Sequence, residues 1–383
     1  MGAKRSSLRG LRWAAGFFLT LVASPTLAQP RPVEPVYREV KQWIVGCDNT
    51  RRCVARFVAS EFSRPPALRG RELALMSVSR EAGPSGALTV SLSLAGVFDE
   101  EARQKILTRF DPALLQLDGQ LLAPRLPAPR RIGLVSEHVL TGDAALQFLT
   151  DLRGGALLTF SARADAPVVS LDGLTEALLA MDQAQGRTNN LSALVHGGGA
   201  GPASLTPPVV PTPLVHAQPA PAALPGGAAI AARVRRARRQ VLQQHQCNLD
   251  QTHDDAQRLN DREFVVMLSC NTGAYQGYGL AFRGTIADPA AATLLRLPYP
   301  SFLSDAEGGE AAGEYGAGRY DAASATFTQT SLGRGIGDCG MTASWVFDGK
   351  DFHLAGLTYQ DRCGGTPGEW LTLYRARVLE LGP

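Results

Sequence analysis

Gly333-Arg334-Gly335-Ile336-Gly337-Asp338-Cys339-Gly340-Met341-Thr342-Ala343-Ser344-Trp345-Val346-Phe347-Asp348-Gly349-Lys350-Asp351-Phe352-His353-Leu354 is the stretch whose reading decides the fold. Asp348-Gly349 sits between two apolar-rich runs, and a two-residue type I′ turn needs φ > 0 at both positions, which Asp-Gly supplies. The spacing predicts a hairpin with Phe347 opposite Lys350, Trp345 opposite Phe352 and Ala343 opposite Leu354. One face then carries Ala343, Trp345, Phe347, Phe352 and Leu354. The other carries Thr342, Ser344, Asp351 and His353, with Val346 out of pattern. A slip of one residue would send every side chain to the wrong face. Cys339 and Cys363 bracket the hairpin.

Residues 1–28 read as a leader outside the fold. Lys4, Arg5, Arg9 and Arg12 make a basic start, residues 13–23 a short apolar run, and Thr26-Leu27-Ala28 a small-residue cleavage site after Pro25. Such a run is too short to span a bilayer, so the expected mature chain is exported, to the periplasm or beyond the cell. Removing the leader takes four of the 38 basic residues and none of the 35 acidic ones, leaving a net charge of −1. The basicity belongs to the leader, and charge gives no reason to expect nucleic acid.

Six cysteines in an exported chain read as three disulfides. Cys47 and Cys53 lie early and Cys247, Cys270, Cys339 and Cys363 late, with a proline-rich tract between. Local closure predicts Cys47–Cys53, Cys247–Cys270 and Cys339–Cys363. A redox-active pair would call for Cys-x-x-Cys, which does not occur.

In chain order, Trp43-Ile44-Val45 and residues 54–59 read as strands joined through Cys47-Asp48-Asn49-Thr50-Arg51-Arg52-Cys53, where Asp48 and Asn49 suit an Asx-turn. Arg51 and Arg52 at its tip are candidates for an anion, although a solvated turn is the plainer reading. Residues 87–95 alternate cleanly, Leu88, Val90, Leu92 and Leu94 against Thr89, Ser91 and Ser93. Asp143 is the expected cap of a helix turning Leu146, Leu149 and Leu152 inward. Asp172 is the expected cap of another with Leu174, Leu178 and Met181 on one stripe and Gly186 at its end. Residues 156–161 and 167–171 are the strands expected between them.

Trp43-x-x-x-Cys47-Asp48-Asn49-x-x-x-Cys53, Val169-Ser170-Leu171-Asp172-Gly173-Leu174 with Met181-Asp182-x-x-Gln185-Gly186-Arg187, and Gly335-Ile336-Gly337-Asp338-Cys339-Gly340 carry a resemblance across nearly the whole mature chain. It is to bacterial exported six-cysteine proteins of unknown function, domain-of-unknown-function family 1176. The first half is more loosely similar to the invasion-associated locus B family, which implies a strand-rich exported domain with a late helix. Neither resemblance implies a catalytic residue or a cofactor. The long central Pro/Ala tract departs from the six-cysteine family.

That tract, residues 197–229, holds Pro202, Pro207, Pro208, Pro211, Pro213, Pro219, Pro221 and Pro225 and reads as an extended linker. The expected organisation is therefore a β-rich domain at 29–195 with a late helix, a linker at 196–232 and a disulfide-stapled β-rich domain at 233–383. The fold class is α+β, mainly β, in antiparallel sheets or sandwiches. Residues 233–246 read as a helix with Val234, Ala237 and Val241 on a narrow stripe and Arg233, Arg235, Arg236, Arg238 and Arg239 around it. This is either a lid with solvated arginines or a contact with anionic lipid or an acidic partner. Phe264-Val265-Val266-Met267-Leu268 is expected in a central strand, residues 307–318 in a mobile Gly/acid loop and residues 370–377 in a closing strand.

Chemical signatures are sparse. Gly335-Ile336-Gly337-Asp338-Cys339-Gly340 matches Gly-x-Gly-x-x-Gly in letters, but a dinucleotide loop must open a helix, and a hairpin strand is expected here. His245, His253, Asp254 and Asp255 have ligand types without the spacing of a metal site, and a hydrated loop accounts for them. Asn190-Leu191-Ser192 matches a glycosylation sequon. Asp338, Asp348 and Glu369 are the carboxylates that could pair in a hydrolase, a chemistry needing two carboxylates about 5–10 Å apart. Arg334, Asp338, Trp345 and Trp370 are the residues to watch for ligand contact, with core the better reading of Trp345. The leading expectation is a non-catalytic exported binding or envelope-associated protein, without metal or cofactor; its rival is a cell-envelope hydrolase whose carboxylates meet only in three dimensions.

Overall fold

Trp43–Cys47 is buried at every residue, because this strand is covered on both faces. Trp43 and Val45 point into one apolar core, and Ile44 between them belongs to another. Alternation along a strand is what sends neighbours to opposite sides. At Gly46 a Cβ would come within 2.7 Å of the Leu373 side chain, so the missing side chain is what lets the last long strand lie against this one.

The computed structural model describes residue 2 and residues 33–59, 66–69, 73–94, 101, 111–122, 126–132, 135–188, 190–195, 201–250, 254–304, 314–364 and 366–380. The expected leader, His253 and most of the 307–318 loop lie outside the described residues. The fold is α+β and mostly β, with 39% of the described residues in strands and 18% in helix.

The first sheet has seven strands in the spatial order Val36–Val40, Trp43–Cys47, Cys53–Phe57, Ala74–Arg80, Leu88–Leu94, Val135–Thr141, Arg130–Ile132, every neighbouring pair antiparallel. Helices α1 (Gly142–Asp151) and α2 (Leu174–Ala184) pack on it and close a core that includes Trp43, Phe57, Phe148, Phe160 and Met181. Two predicted caps give way to neighbours. Thr141 precedes α1, and its buried stripe is Ala145, Phe148 and Leu149, so Leu146 is left 42% exposed. Gly173, at φ 101, precedes α2, while Asp172 instead pairs with Lys41 at 3.0 Å. Leu174, Leu178 and Met181 do lie inside.

The later part contains two five-stranded antiparallel sheets. In one, Glu263–Thr272 is central, flanked by Ala256–Arg258 and Gly277–Thr285. Helices α3 (Gly227–Ala237) and α4 (Arg239–Gln244) cover its Phe264, Val266, Leu268 and Phe282 with Ala231, Val234 and Leu242. The other runs Arg319–Asp321, Thr326–Leu332, Gly340–Phe347, Phe352–Gln360, Leu371–Arg375. Its Phe327, Trp345 and Phe347 share a core with Ile44, Leu371 and Leu373.

The hairpin of the opening stretch forms in a different register. Phe347 pairs with Phe352 and Trp345 with Leu354, and a bulge after Ser344 then sets Ala343 opposite Leu357. The Asp348 carboxylate accepts from the amides of Lys350 and Asp351, both at 2.8 Å, and Asp348 N–H donates to Asp351 O at 3.1 Å. Gly349-Lys350 is therefore the central pair, not Asp348-Gly349. The shift moves the Phe347 and Trp345 pairings by two residues and, beyond the bulge, that of Ala343 by three, and the facing survives: Trp345, Phe347, Phe352 and Leu354 remain buried. Val346 is buried too, because the sheet is covered on both sides here.

Long-range polar contacts join the parts. The three disulfides are Cys47–Cys53, Cys247–Cys270 and Cys339–Cys363. Inside the first, Asp48 accepts from Thr50 N at 2.8 Å and Arg52 N at 3.0 Å. Asn49, fully buried, donates to Arg375 O at 3.0 Å and accepts from Arg375 N at 2.9 Å. Among its described residues the proline-rich tract holds a 3-10 turn at Ala203–Leu205 and a strand at Leu214–Ala217, and α3 begins inside it at Gly227. It is also tied down: Leu214–Ala217 pairs in parallel with Arg377–Glu380, with Val215 and Ala217 buried. The described residues from 33 onward pack as one compact unit. Glu263 and Arg283 strut the two five-stranded sheets, since Arg283 holds both Glu263 oxygens at 2.9 and 2.8 Å and Lys350 O at 2.8 Å.

Asn49→Ala removes both bonds to the Arg375 backbone and orphans two buried groups, so it should lower unfolding free energy by about 2–4 kcal/mol, read as a fall in the denaturant midpoint. Arg283, ahead of Asn260, holds the Glu263 carboxyl below its usual value despite partial burial. A depressed folded-state value means that its stabilisation is present above the unfolded value, about 4.3, and is lost as pH falls through the folded one. Glu263→Gln should therefore flatten the acid limb of a stability–pH profile while leaving its shape above neutrality unchanged.

Candidate functional site

The residues that looked most like chemistry in the sequence are held by one another. At the tip of the first disulfide loop, Arg52 pairs with Glu81 at 2.7 Å. Arg51, at φ 66, offers its carbonyl to the Gln185 amide at 2.8 Å. Arg334 donates from Nε to Asp338 at 2.7 Å and from Nη2 to the other oxygen, a two-point pairing of charge with Asp338 only 1% exposed. Trp370 donates to Gly337 O at 3.1 Å and Trp345 to Pro298 O at 2.7 Å. Trp345 is fully buried among Tyr299, Tyr315 and Phe327. Gly340–Phe347, a strand, follows the glycine loop where a nucleotide site would need a helix. A Cβ on Gly340, at φ 146, would strike Ser331 O and the Trp370 ring. Asp338 approaches Cys339 and Cys363 closely enough for a shared ion, but those sulfurs are bonded to each other.

Asp348 is engaged by its turn and by His353 at 2.7 Å; burial opposes ionisation, and the Asp351 and Lys350 amides with His353 outweigh it, holding the carboxyl low. The Glu369 carbonyl accepts from Arg56. A carboxylate pair that the sequence did not suggest, Glu39 with Asp361, lies beside Tyr37 and Arg362. Tyr37 O–H donates to Asp361 and Arg362 to Glu39. Burial first, then the Asp361 contact, pushes Glu39 up. Nothing in sequence spacing links residues 39 and 361.

The Asp182-x-x-Gln185-Gly186-Arg187 motif becomes a buried polar knot. Gln185 donates to Arg51 O and Arg80 O at 2.8 and 3.1 Å, and Arg187 donates to Gln185 at 2.9 Å and Ser192 Oγ at 2.8 Å. Asp182 accepts from Leu194 N at 2.7 Å. Burial pulls the Arg187 guanidinium down to about 10, helped by the Arg80 charge, and pushes the Asp182 carboxyl up. Asn190 is 2% exposed and bonded to Thr206, so the sequon faces inward.

The arginines of α3 and α4 divide into two sets. Arg235 bonds Asp254 and Ser269 O, each at 2.7 Å, and Arg238 bonds Ala292 O at 2.6 Å and Ala290 O at 3.0 Å. These two fasten the helices to the sheet, which corrects the reading of all five as one solvated or partner-facing set. Arg233, Arg236 and Arg239 are exposed and have no charged or hydrogen-bonding partner among the described residues. A cleft of about 290 Å³ opens beside them, walled by Ala228, Ala232, Leu249 and the Arg235–Asp254 pair. Of the cluster noted in sequence, Asp254 serves Arg235 and Ser269 N, and Asp255 accepts from Gln257 at 3.1 Å. A larger groove of about 530 Å³ runs between the two five-stranded sheets over Val265, Met267 and Phe327. Its Asp321 is already bonded by Ser324 and the Ala323 amide.

A mainly β scaffold pinned by three disulfides, with polar motifs such as Asp182, Gln185 and Arg187 turned inward, is the class of protein these features define. The chain belongs to the family described as a protein of unknown function (DUF1176), whose model matches residues 37–377. It is 27% identical over 361 residues to the uncharacterized protein YpfG of Escherichia coli (strain K12), covering 90% of this chain and 94% of that protein. It is also similar, at 16% identity and a TM-score of 0.27, to a crystal structure of invasion-associated protein B from Bartonella henselae. That match covers 39% of this chain and 99% of the other.

Arg334→Ala leaves Asp338 buried without its cation, and should destabilise by about 3–5 kcal/mol in equilibrium unfolding. Arg334→Ala with Asp338→Ala should recover part of that loss; a single-variant effect under about 1 kcal/mol would show the charge to be solvated.

Proposed function

We propose that this is an exported, non-catalytic protein that associates with an anionic surface of the cell envelope through the exposed arginines of α3 and α4. The observation that carries the reading is the charge imbalance at Arg233, Arg236 and Arg239, three guanidinium groups with no partner among the described residues, on a mature chain whose net charge is −1. Supporting it are the leader-like residues 1–28, which fit export, and the three disulfides, which fit an oxidising compartment. None of the described helices is long and apolar enough to cross a membrane; surface attachment by charge needs none. The rival hydrolase reading loses Asp338 to Arg334 and Asp348 to its turn.

A basic side chain at an anionic bilayer contributes about 1 kcal/mol. The mature chain should therefore co-sediment with phosphatidylglycerol vesicles and not with phosphatidylcholine vesicles, with binding falling as salt rises. Arg233→Glu/Arg236→Glu/Arg239→Glu should weaken it by about tenfold or more at unchanged thermal stability. Equal binding to both vesicle types, or no loss in the triple variant, overturns the proposal.

A further inference from the structure

Ala228, Ala232, Arg235 and Arg236 follow one another at i, i+4, i+7 and i+8, the spacing that stacks side chains along a single face of α3, and Arg239, opening α4 beyond the break at Arg238, lines the same cleft. The face is graded. At its start the two alanines leave a trough with Leu249 as the opposite wall; at its end stand Arg236 and Arg239. The wall is fixed in place by the Cys247–Cys270 disulfide and by Asn248 N–H donating to Cys270 O at 3.0 Å. Asp254 is the acid in the cleft, and it is already satisfied by Arg235 at 2.7 Å and by Ser269 N at 2.8 Å. Among the described residues it therefore leaves the charges of Arg236 and Arg239 uncompensated. A simple electrostatic patch would need no trough, and a purely apolar pocket would not end in two guanidinium groups.

Resting on the reading that this face binds anions, we propose that the cleft holds a single phosphate-ester lipid, its phosphate between Arg236 and Arg239 and the first part of its apolar chain along Ala228, Ala232 and Leu249. Guanidinium groups bind phosphate oxygens in a fork, with more donors than a lone carboxylate can accept. The volume, about 290 Å³, lies at the small end of ligand sites. It admits a head group and a short length of chain, so the rest of the tail stays outside and can remain in a bilayer.

The test titrates the intact mature protein by calorimetry with dihexanoyl phosphatidic acid below its micelle-forming concentration, then with inorganic phosphate and with dihexanoyl phosphatidylcholine. The expected result is saturable one-to-one binding of the phosphatidic acid, about tenfold or more tighter than inorganic phosphate, with no measurable uptake of the phosphatidylcholine. Ala232→Trp, at an exposed helical position that tolerates the larger ring, should fill the trough and abolish that binding while vesicle association persists. Leu249→Asn should weaken it in the same sense, and Arg236→Gln/Arg239→Gln should abolish it and weaken vesicle association. Phosphatidic acid no tighter than phosphate, or unchanged by Ala232→Trp, overturns the cleft proposal and leaves the surface reading standing. Failure of every anionic probe and of anionic vesicles overturns both.

Discussion

The structure depends on one strand having no exposed side. Trp43–Cys47 gives Trp43 and Val45 to the core beneath α1 and α2 and Ile44 to the core that Trp345 and Leu371 share. The loop that follows it then reaches across to the far end of the chain through Asn49 and Arg375. An asparagine side chain carries a carbonyl acceptor and two N–H donors, and here one donor and the acceptor meet the C=O and N–H of a single residue, as one more residue in a ladder would. The Cys47–Cys53 bond and the Asp48 carboxylate hold that loop in the shape the contact requires. Gly46 completes the arrangement by leaving room for Leu373.

What could be read beforehand follows the range of the forces involved. Alternation at residues 88–94 and the apolar set around Trp345 are local patterns, and local patterns predict local structure well. The hairpin register was misread for an equally local reason: Asp348 has a second use, taking two amides with its carboxylate, and that displaces the turn by one position. The apolar face survives because the pairing beside the turn shifts by two, an even number, and the bulge after Ser344 takes up the odd residue beyond it. Helix α1 shows the same lesson in small form, since starting it at Gly142 makes Phe148 an inward residue and leaves Leu146 in solvent.

The candidate site was legible only in part. Five arginines close together announce a basic helix, but which of them are free depends on the carbonyls of Ser269, Ala290 and Ala292, residues that no spacing rule brings near. The facing wall at Leu249 was equally invisible. Conversely, Arg334, Asp338 and Trp370 stood out because charged and aromatic residues in a glycine loop suggest ligand contact. Their partners turn out to be each other and the loop's own backbone, which is how a chain with little regular structure between two strands satisfies its polar groups.

The distance in sequence between Asn49 and Arg375 has a temporal side. A strand that requires the last long strand for its second covering cannot be finished while the chain is still being delivered, whichever end emerges first. Contacts so far apart along the chain close slowly, and until they close, the Ile44 face is an open apolar seam of the kind that invites aggregation. The early disulfide loop is short enough to form at once; its docking partner arrives last. Until that contact closes, the chain carries a half-covered sheet, and the interval is set by the length of polypeptide between Asn49 and Arg375.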